Sequence, residues 1–144
     1  MMKTSLVRPA TPEDVPAIAA LMTQLGYPTT PGAMRARMEH IAALPGYATF
    51  VAEAEGRVIG MAGAMVGSAY NHDGPFARLL SLVVDEAHRG HGAGAALVHA
   101  VEDWARARGA VSIHLTTGRQ RADAHRFYAG LGYQDTGKRF FRTL

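Results

Sequence analysis

The sequence predicts an α/β fold built on a mixed sheet. Three observations lead there. Short apolar runs bounded by Gly and Pro turns alternate with stretches whose apolar residues recur every three to four positions. Read in order, the elements run β-α-α-β-β-β-α-β-α-β-β, which mixes hairpins with strand–helix–strand units. One strand and the helix after it are joined by three alternating glycines behind an arginine, Arg89-Gly90-His91-Gly92-Ala93-Gly94. With 144 residues the chain is expected to form one domain, 1–144, around one core.

Ser5 to Arg8 reads as the first strand. Thr11-Pro12-Glu13-Asp14 then reads as a helix start, with a capping residue, Pro at the first position and acids in the first turn. Val15, Ile18, Ala19, Met22 and Leu25 follow at helical spacing, and Gly26 stops the helix. Pro31 begins a second helix with Met34, Met38 and Ile41 on one face, ended by Pro45-Gly46. Tyr47 to Glu53 and Arg57 to Gly67 form a hairpin around Glu55-Gly56. After a loop with a turn at Asp73-Gly74, Phe76 to Val84 is a strand whose apolar end predicts a central position. Gly92 to Arg108 is a long helix with Leu97, Val101, Trp104 and Ala105 on its buried stripe. Val111 to Thr116 is a strand, and Arg121 to Leu131 a helix with Ala124, Phe127, Tyr128 and Leu131 on one side. Tyr133 to Thr136 and Arg139 to Leu144 read as a closing hairpin around Gly137.

Composition narrows the function classes. There is no cysteine, hence no disulfide framework and no thiol nucleophile, which fits a reducing, cytoplasmic setting. The N-terminal MMKTSLVRPATPED has no apolar signal core and no run is long enough to span a membrane, so no membrane partner is expected. Net charge is +3 (15 basic, 12 acidic), with basic residues gathered at Arg119, Arg121, Arg126, Lys138, Arg139 and Arg142. That balance admits an anionic ligand. Nucleic acid is not expected, because no aromatic-interleaved basic strand or recognition helix is present. His40, His88, His99 and His114 show no metal-ligand spacing, and no metal is expected.

The glycine stretch is the feature that carries chemistry. Strand, glycine-rich turn and helix start together make an anion site, because the first helix amides lack partners and the macrodipole is positive there. Without side chains at Gly90, Gly92 and Gly94 a phosphate or pyrophosphate can sit on the main chain, and Arg89 adds a charged fork of donors. A P-loop is excluded, since Ala95 and Ala96 stand where Lys and Ser/Thr are required. A dinucleotide fingerprint is excluded because His114 to Thr117, at the end of the next strand, contains no acid.

VVDEAHRGHGAGAAL resembles the coenzyme A pyrophosphate motif of the GCN5-related N-acetyltransferases (GNAT), Arg/Gln-x-x-Gly-x-Gly/Ala, matched at Arg89 to Gly94. AHRFYAGLGY, Ala124 to Tyr133, resembles that family's second signature, Ala-x-x-Phe/Leu-Tyr-x-x-x-Gly-Phe/Tyr. The tail is similar to aminoalkylphosphonate N-acetyltransferases. The resemblance implies a mostly antiparallel sheet of about six to seven strands, splayed between the fourth and fifth, with four helices on both faces. It implies acetyl-CoA as cofactor and a small-molecule amine as acceptor, and it admits a homodimer. Leu82, Val83, Val84, Arg89, Gly90, His91, Gly92, Ala93, Gly94, Thr117, Arg121 and Ala124 are the positions it assigns to the cofactor. Tyr128 matches the tyrosine that protonates the leaving thiolate; by spacing alone it is equally a core tyrosine on an ordinary helix stripe.

Two departures stand out. Many relatives carry a glutamate on the strand before the glycine loop, but ARLLSLVV has no carboxylate. An ammonium acceptor must lose a proton before it attacks. His72, beside Asp73 in the loop before that strand, is the first candidate base, although Asn-His-Asp-Gly is also plain turn chemistry; Ser81 relaying through water is the second. The missing carboxylate also leaves open a coenzyme A-binding module without turnover. Arg121 stands where many relatives have asparagine, and reads equally as a grip on a phosphate, a grip on an anionic substrate, or a solvated helix start.

Overall fold

The structure is a computed structural model, and residues 6–117 and 122–144 are described. It falls into two compact units, Met1–His114 and Leu115–Leu144. The first holds five strands in the order β1-β2-β3-β4-β5: β1 Leu6–Pro9, β2 Tyr47–Ala54, β3 Arg57–Ser68, β4 Pro75–Val84 and β5 Ile113–His114. Neighbours are antiparallel except β4 and β5, which run parallel. Three helices belong to this unit, α1 Val15–Leu25, α2 Pro31–Ala42 and α3 Ala93–Ala107. The second unit contains α4, Ala122–Gly130.

The two sheet faces are covered differently. α1 and α2 bring Val15, Ile18, Ala19, Leu21 and Met34 onto Val51, Met61 and Val83. α3 packs on β2, β3 and β4 from the other face, burying Leu97, Val98, Val101 and Ala105. It lies so close that a Cβ on Gly60 would come within 3.0 Å of Leu97 Cδ1. The period-3.6 pattern therefore found most of the α3 stripe. It missed Val98 and overplaced Trp104, which stays half-buried with the Arg108 guanidinium 5.3 Å from its ring centre.

The β2–β3 hairpin turns at Glu55 and Gly56, both at positive φ (53° and 75°), which matches the right-handed twist of the strands. Pro12–Asp14 form a single 3₁₀ turn rather than the first turn of α1, which begins at Val15. There the Thr11 N–H donates to Asp14 Oδ2 at 2.7 Å. The carboxylate also takes two bonds from the Arg8 guanidinium, at 2.8 and 2.9 Å, and Arg8 Nε reaches Glu53 Oε2 at 2.8 Å. One guanidinium thus ties β1, β2 and the approach to α1 together.

Three expectations need correction. β5 is a two-residue strand rather than Val111 to Thr116. No strand occurs between 133 and 144, so the closing hairpin is absent among the described residues and the strand count there is five, not six to seven. The apolar residues of RFFRTL are in fact exposed, Phe140 at 90% and Phe141 at 77%. Ser5 and the Arg119 and Arg121 positions lie outside the described residues.

Candidate active site

β4 carries the candidate site because its ladder is interrupted. With β3 the register slips between Gly63 and Ala64, leaving Leu80 as an extra residue on β4. With β5 it pairs only at Ala77 and Arg78, opposite Ile113 and His114. From Leu79 to Val84 that edge has no ladder partner among the described residues of this unit. Register tells which main-chain groups face the gap. Asp85 N–H donates to the Ile59 carbonyl at 2.7 Å, so Asp85, Ser81 and Val83 turn their groups toward β3. Leu82 and Val84 alternate with them and turn theirs to the open edge. The Val83 side chain is core.

The open edge leads into the glycine stretch. Asp85 caps a 3₁₀ turn, Glu86–His88, accepting from Ala87 N–H at 3.3 Å. Its carboxylate also accepts from Gln24 Nε2 at 2.7 Å and meets His88 Nδ1 at 2.8 Å. Gln24 Oε1 in turn accepts from Glu86 N–H at 3.0 Å. The Gln24 amide, then the His88 ring, hold the Asp85 carboxyl below the usual carboxylate range. This clasp between the end of α1 and the loop was missed in the sequence; its partners lie 61 and 62 residues apart and share no motif.

Beyond it, Arg89 donates from Nε to the Val84 carbonyl at 3.1 Å, which leaves its two terminal nitrogens for a ligand. Gly90 and Gly92 take φ of 83° and 88°, a region L side chains rarely enter. A Cβ at either would meet nothing within 4 Å, so the space above them is open. His91 is exposed and Ala93 buried. Gly92 is the cap residue of α3 and offers no side chain. The amides of Ala93, Gly94 and Ala95 therefore begin the helix without intrahelical acceptors. An open, donor-lined cup of this kind fits a diphosphate, and the Leu82 main-chain groups and the Val84 N–H, which have no ladder partner among the described residues, fit an amide-bearing arm. These are the parts a coenzyme A site requires.

Amino-acid sequence comparison names the family. The acetyltransferase (GNAT) family model matches residues 16–133. The chain belongs to the GNAT family. Enzymes of this family draw their acetyl group from acetyl-CoA. The chain is 36% identical over 92 residues to human N-acetyltransferase 8 (Homo sapiens), covering 64% of this chain and 40% of that protein. It spans about 40% of the length of these N-acetyltransferase 8 relatives. Aminoalkylphosphonate N-acetyltransferase of Salmonella typhimurium is 28% identical, and the match covers 100% of this chain and 94% of that protein. The GNAT fold is seen in the aminoglycoside N-acetyltransferase AAC(6')-Iy solved in complex with CoA, which superposes with TM-score 0.86 at 23% identity, covering 100% of this chain and 98% of that one.

The remaining expected residues are placed as follows. Ser81 is half-buried on β4, opposite Gly63. His72 is exposed in the loop before β4, its Nδ1 3.1 Å from the Asp73 carbonyl. In the second unit Ala124, Phe127 and Tyr128 form the half-buried side of α4, Leu131 just past its end is half-buried too, and the Tyr128 and Tyr133 rings meet edge to face at 5.7 Å. Thr117 is half-buried. Arg121, assigned to the cofactor, lies outside the described residues. Among the described residues no group of three or more His, Asp or Glu side chains gathers as a metal site, and no helix is long and apolar enough to cross a membrane.

Proposed function

We propose that this chain is an acetyl-CoA-dependent N-acetyltransferase acting on a primary amine of a small, negatively charged molecule, by direct attack in a ternary complex. The observation that supports it most is the continuity of the open cup at Gly90 and Gly92 with the edge of β4 that has no ladder partner among the described residues. When bound, acetyl-CoA supplies the activated acetyl thioester. Arg89, Gly90, His91, Gly92, Ala93 and Gly94 hold its diphosphate through main-chain amides and the guanidinium. Leu82 and Val84 bind the arm through their main chain, and Val83 contributes its place in the core beneath them. Thr117, Arg121 and Ala124 complete the cofactor contacts. Tyr128 supplies the proton that the departing sulfur requires.

The negative charge assigned to the acceptor is supported by the basic balance of the chain and by the match to an aminoalkylphosphonate N-acetyltransferase, which runs the full length of this chain and covers 94% of that protein. A single catalytic domain is part of this reading, as is a cytoplasmic location. The direct test follows thiol release from acetyl-CoA over a panel of amines. Turnover concentrated on amines bearing phosphonate, phosphate or carboxylate is expected. Coenzyme A binding with no thiol release over the whole panel would contradict it and favour a binding module.

A further inference from the structure

We propose that His114 on β5 takes the proton from the acceptor amine. The proposal rests on the acetyltransferase reading and adds the base that β4 itself lacks. An arm anchored at the start of α3 and lying along the open edge of β4 is led back toward the point where β4 and β5 rejoin. That point is the register pair Arg78 and His114. The acceptor nitrogen must reach the same place.

Side-chain direction agrees. Register puts Phe76 opposite Gly67, Arg78 opposite Met65, Ser81 opposite Gly63 and Val83 opposite Met61, all on one sheet face. Helices α1 and α2 cover that face at Val51, Met61 and Val83. Farther back the cover ends: Thr49, Gly63 and Ser81 are half-buried, while Arg78 and His114 are exposed. His114 is held there by the Phe76 ring, edge to face at 5.6 Å, and by Ser112 Oγ, 3.2 Å from Nε2. A hydroxyl either donates or accepts, so this contact survives both protonation states of the ring. Imidazole is the side chain best suited to exchange a proton near neutrality. Arg78 beside it presents a cation to a negative group on the acceptor.

The step balances. The ammonium passes one proton to His114, which returns it to solvent. The freed nitrogen forms a bond to the acetyl carbonyl carbon as the carbon–sulfur bond breaks. The nitrogen sheds a second proton on becoming an amide, equal in number to the one Tyr128 delivers to sulfur, after which the phenol is reprotonated.

The test uses the full chain with 2-aminoethylphosphonate as probe. His114→Ala is expected to lower kcat roughly 100-fold, to keep its thermal stabilisation by coenzyme A, and to regain rate when imidazole is added. With histidine ring labels and coenzyme A present, the probe is expected to shift the His114 ring signals. If His114→Ala fails to fold, His114→Gln fills the same space against Phe76 and is read in the same way. Unchanged kcat, or a loss that imidazole leaves untouched with no ring shift, overturns the assignment of His114 alone. A wild-type chain that binds coenzyme A yet releases no thiol overturns both readings.

Discussion

The Arg89 side chain donates from Nε to the main-chain carbonyl of Val84 at 3.1 Å. One guanidinium thus joins the last residue of the open strand edge to the first residue of the glycine cup. The contact engages Nε of an exposed side chain and leaves its terminal nitrogens for a ligand. Arg89→Ala is expected to weaken coenzyme A binding about tenfold or more, the worth of charged hydrogen bonds, with little change in the melting temperature of the ligand-free chain. Arg89→Lys keeps the charge without the planar fork and should fall between. Calorimetric titration with coenzyme A reads all three.

Gly92 has two separable duties. Its φ of 88° disfavours a side chain, while the volume above it is open. Gly92→Val is expected to cost about 1–2 kcal/mol of stability and to abolish heat protection by coenzyme A. Gly92→Asn tolerates the left-handed backbone, so it should fold nearly as well and still lose the protection, because its amide fills the cup. Thermal melts with and without coenzyme A distinguish the two effects.

Gln24 holds the loop rather than the ligand. Removing its amide frees both the Asp85 carboxylate and the Glu86 N–H. Gln24→Ala is expected to raise KM for acetyl-CoA several-fold, about 1 kcal/mol of lost preorganisation, while kcat stays within about twofold. Steady-state kinetics separates these. A fall in kcat with KM intact would place Gln24 in a different role.

The Asp14 carboxyl is held below its ordinary pKa, first by the Arg8 hydrogen bonds, against the opposing effect of burial, and then by the Thr11 N–H. A depressed folded-state pKa contributes stability above the unfolded value. That contribution is lost as pH falls through the carboxylate range toward the lower folded value. The melting temperature is therefore expected to drop as pH falls below about 4. Asp14→Asn should be destabilised by about 1–3 kcal/mol near neutrality, and its disadvantage should shrink toward acid pH. Thermal melts read the first, and chemical denaturation at several pH values reads the second.

Tyr128 is assigned the proton for sulfur. Tyr128→Phe keeps the ring that meets Tyr133 at 5.7 Å and removes only the hydroxyl. Its kcat is expected to fall by roughly 100-fold, with KM for acetyl-CoA little changed. An unchanged rate would return Tyr128 to the packing role that its half-buried stripe equally describes.

The sequence revealed those parts of the molecule that depend on neighbours in the chain. The β2–β3 hairpin, the α1 and α3 stripes and the glycine cup were legible because turn chemistry and helical period act over a few residues. The pairing of Arg78 with His114, the Gln24 clasp and the extra Leu80 on β4 were not. Each depends on register between strands or on contacts more than 30 residues apart, and no local pattern encodes them. The final hairpin was misjudged because Arg139 to Leu144 has the composition of a strand, while a strand requires a partner as well as a composition.

The most direct measurement is an amide-resolved NMR titration with coenzyme A. Saturable shifts are expected to be largest at Gly90 to Ala95, with a second set at Leu82 and Val84 that adenosine 3′,5′-bisphosphate alone does not produce. Shifts confined to residues elsewhere in the chain, with Gly90 to Ala95 unmoved at saturating coenzyme A, would contradict a diphosphate cradle at the start of α3.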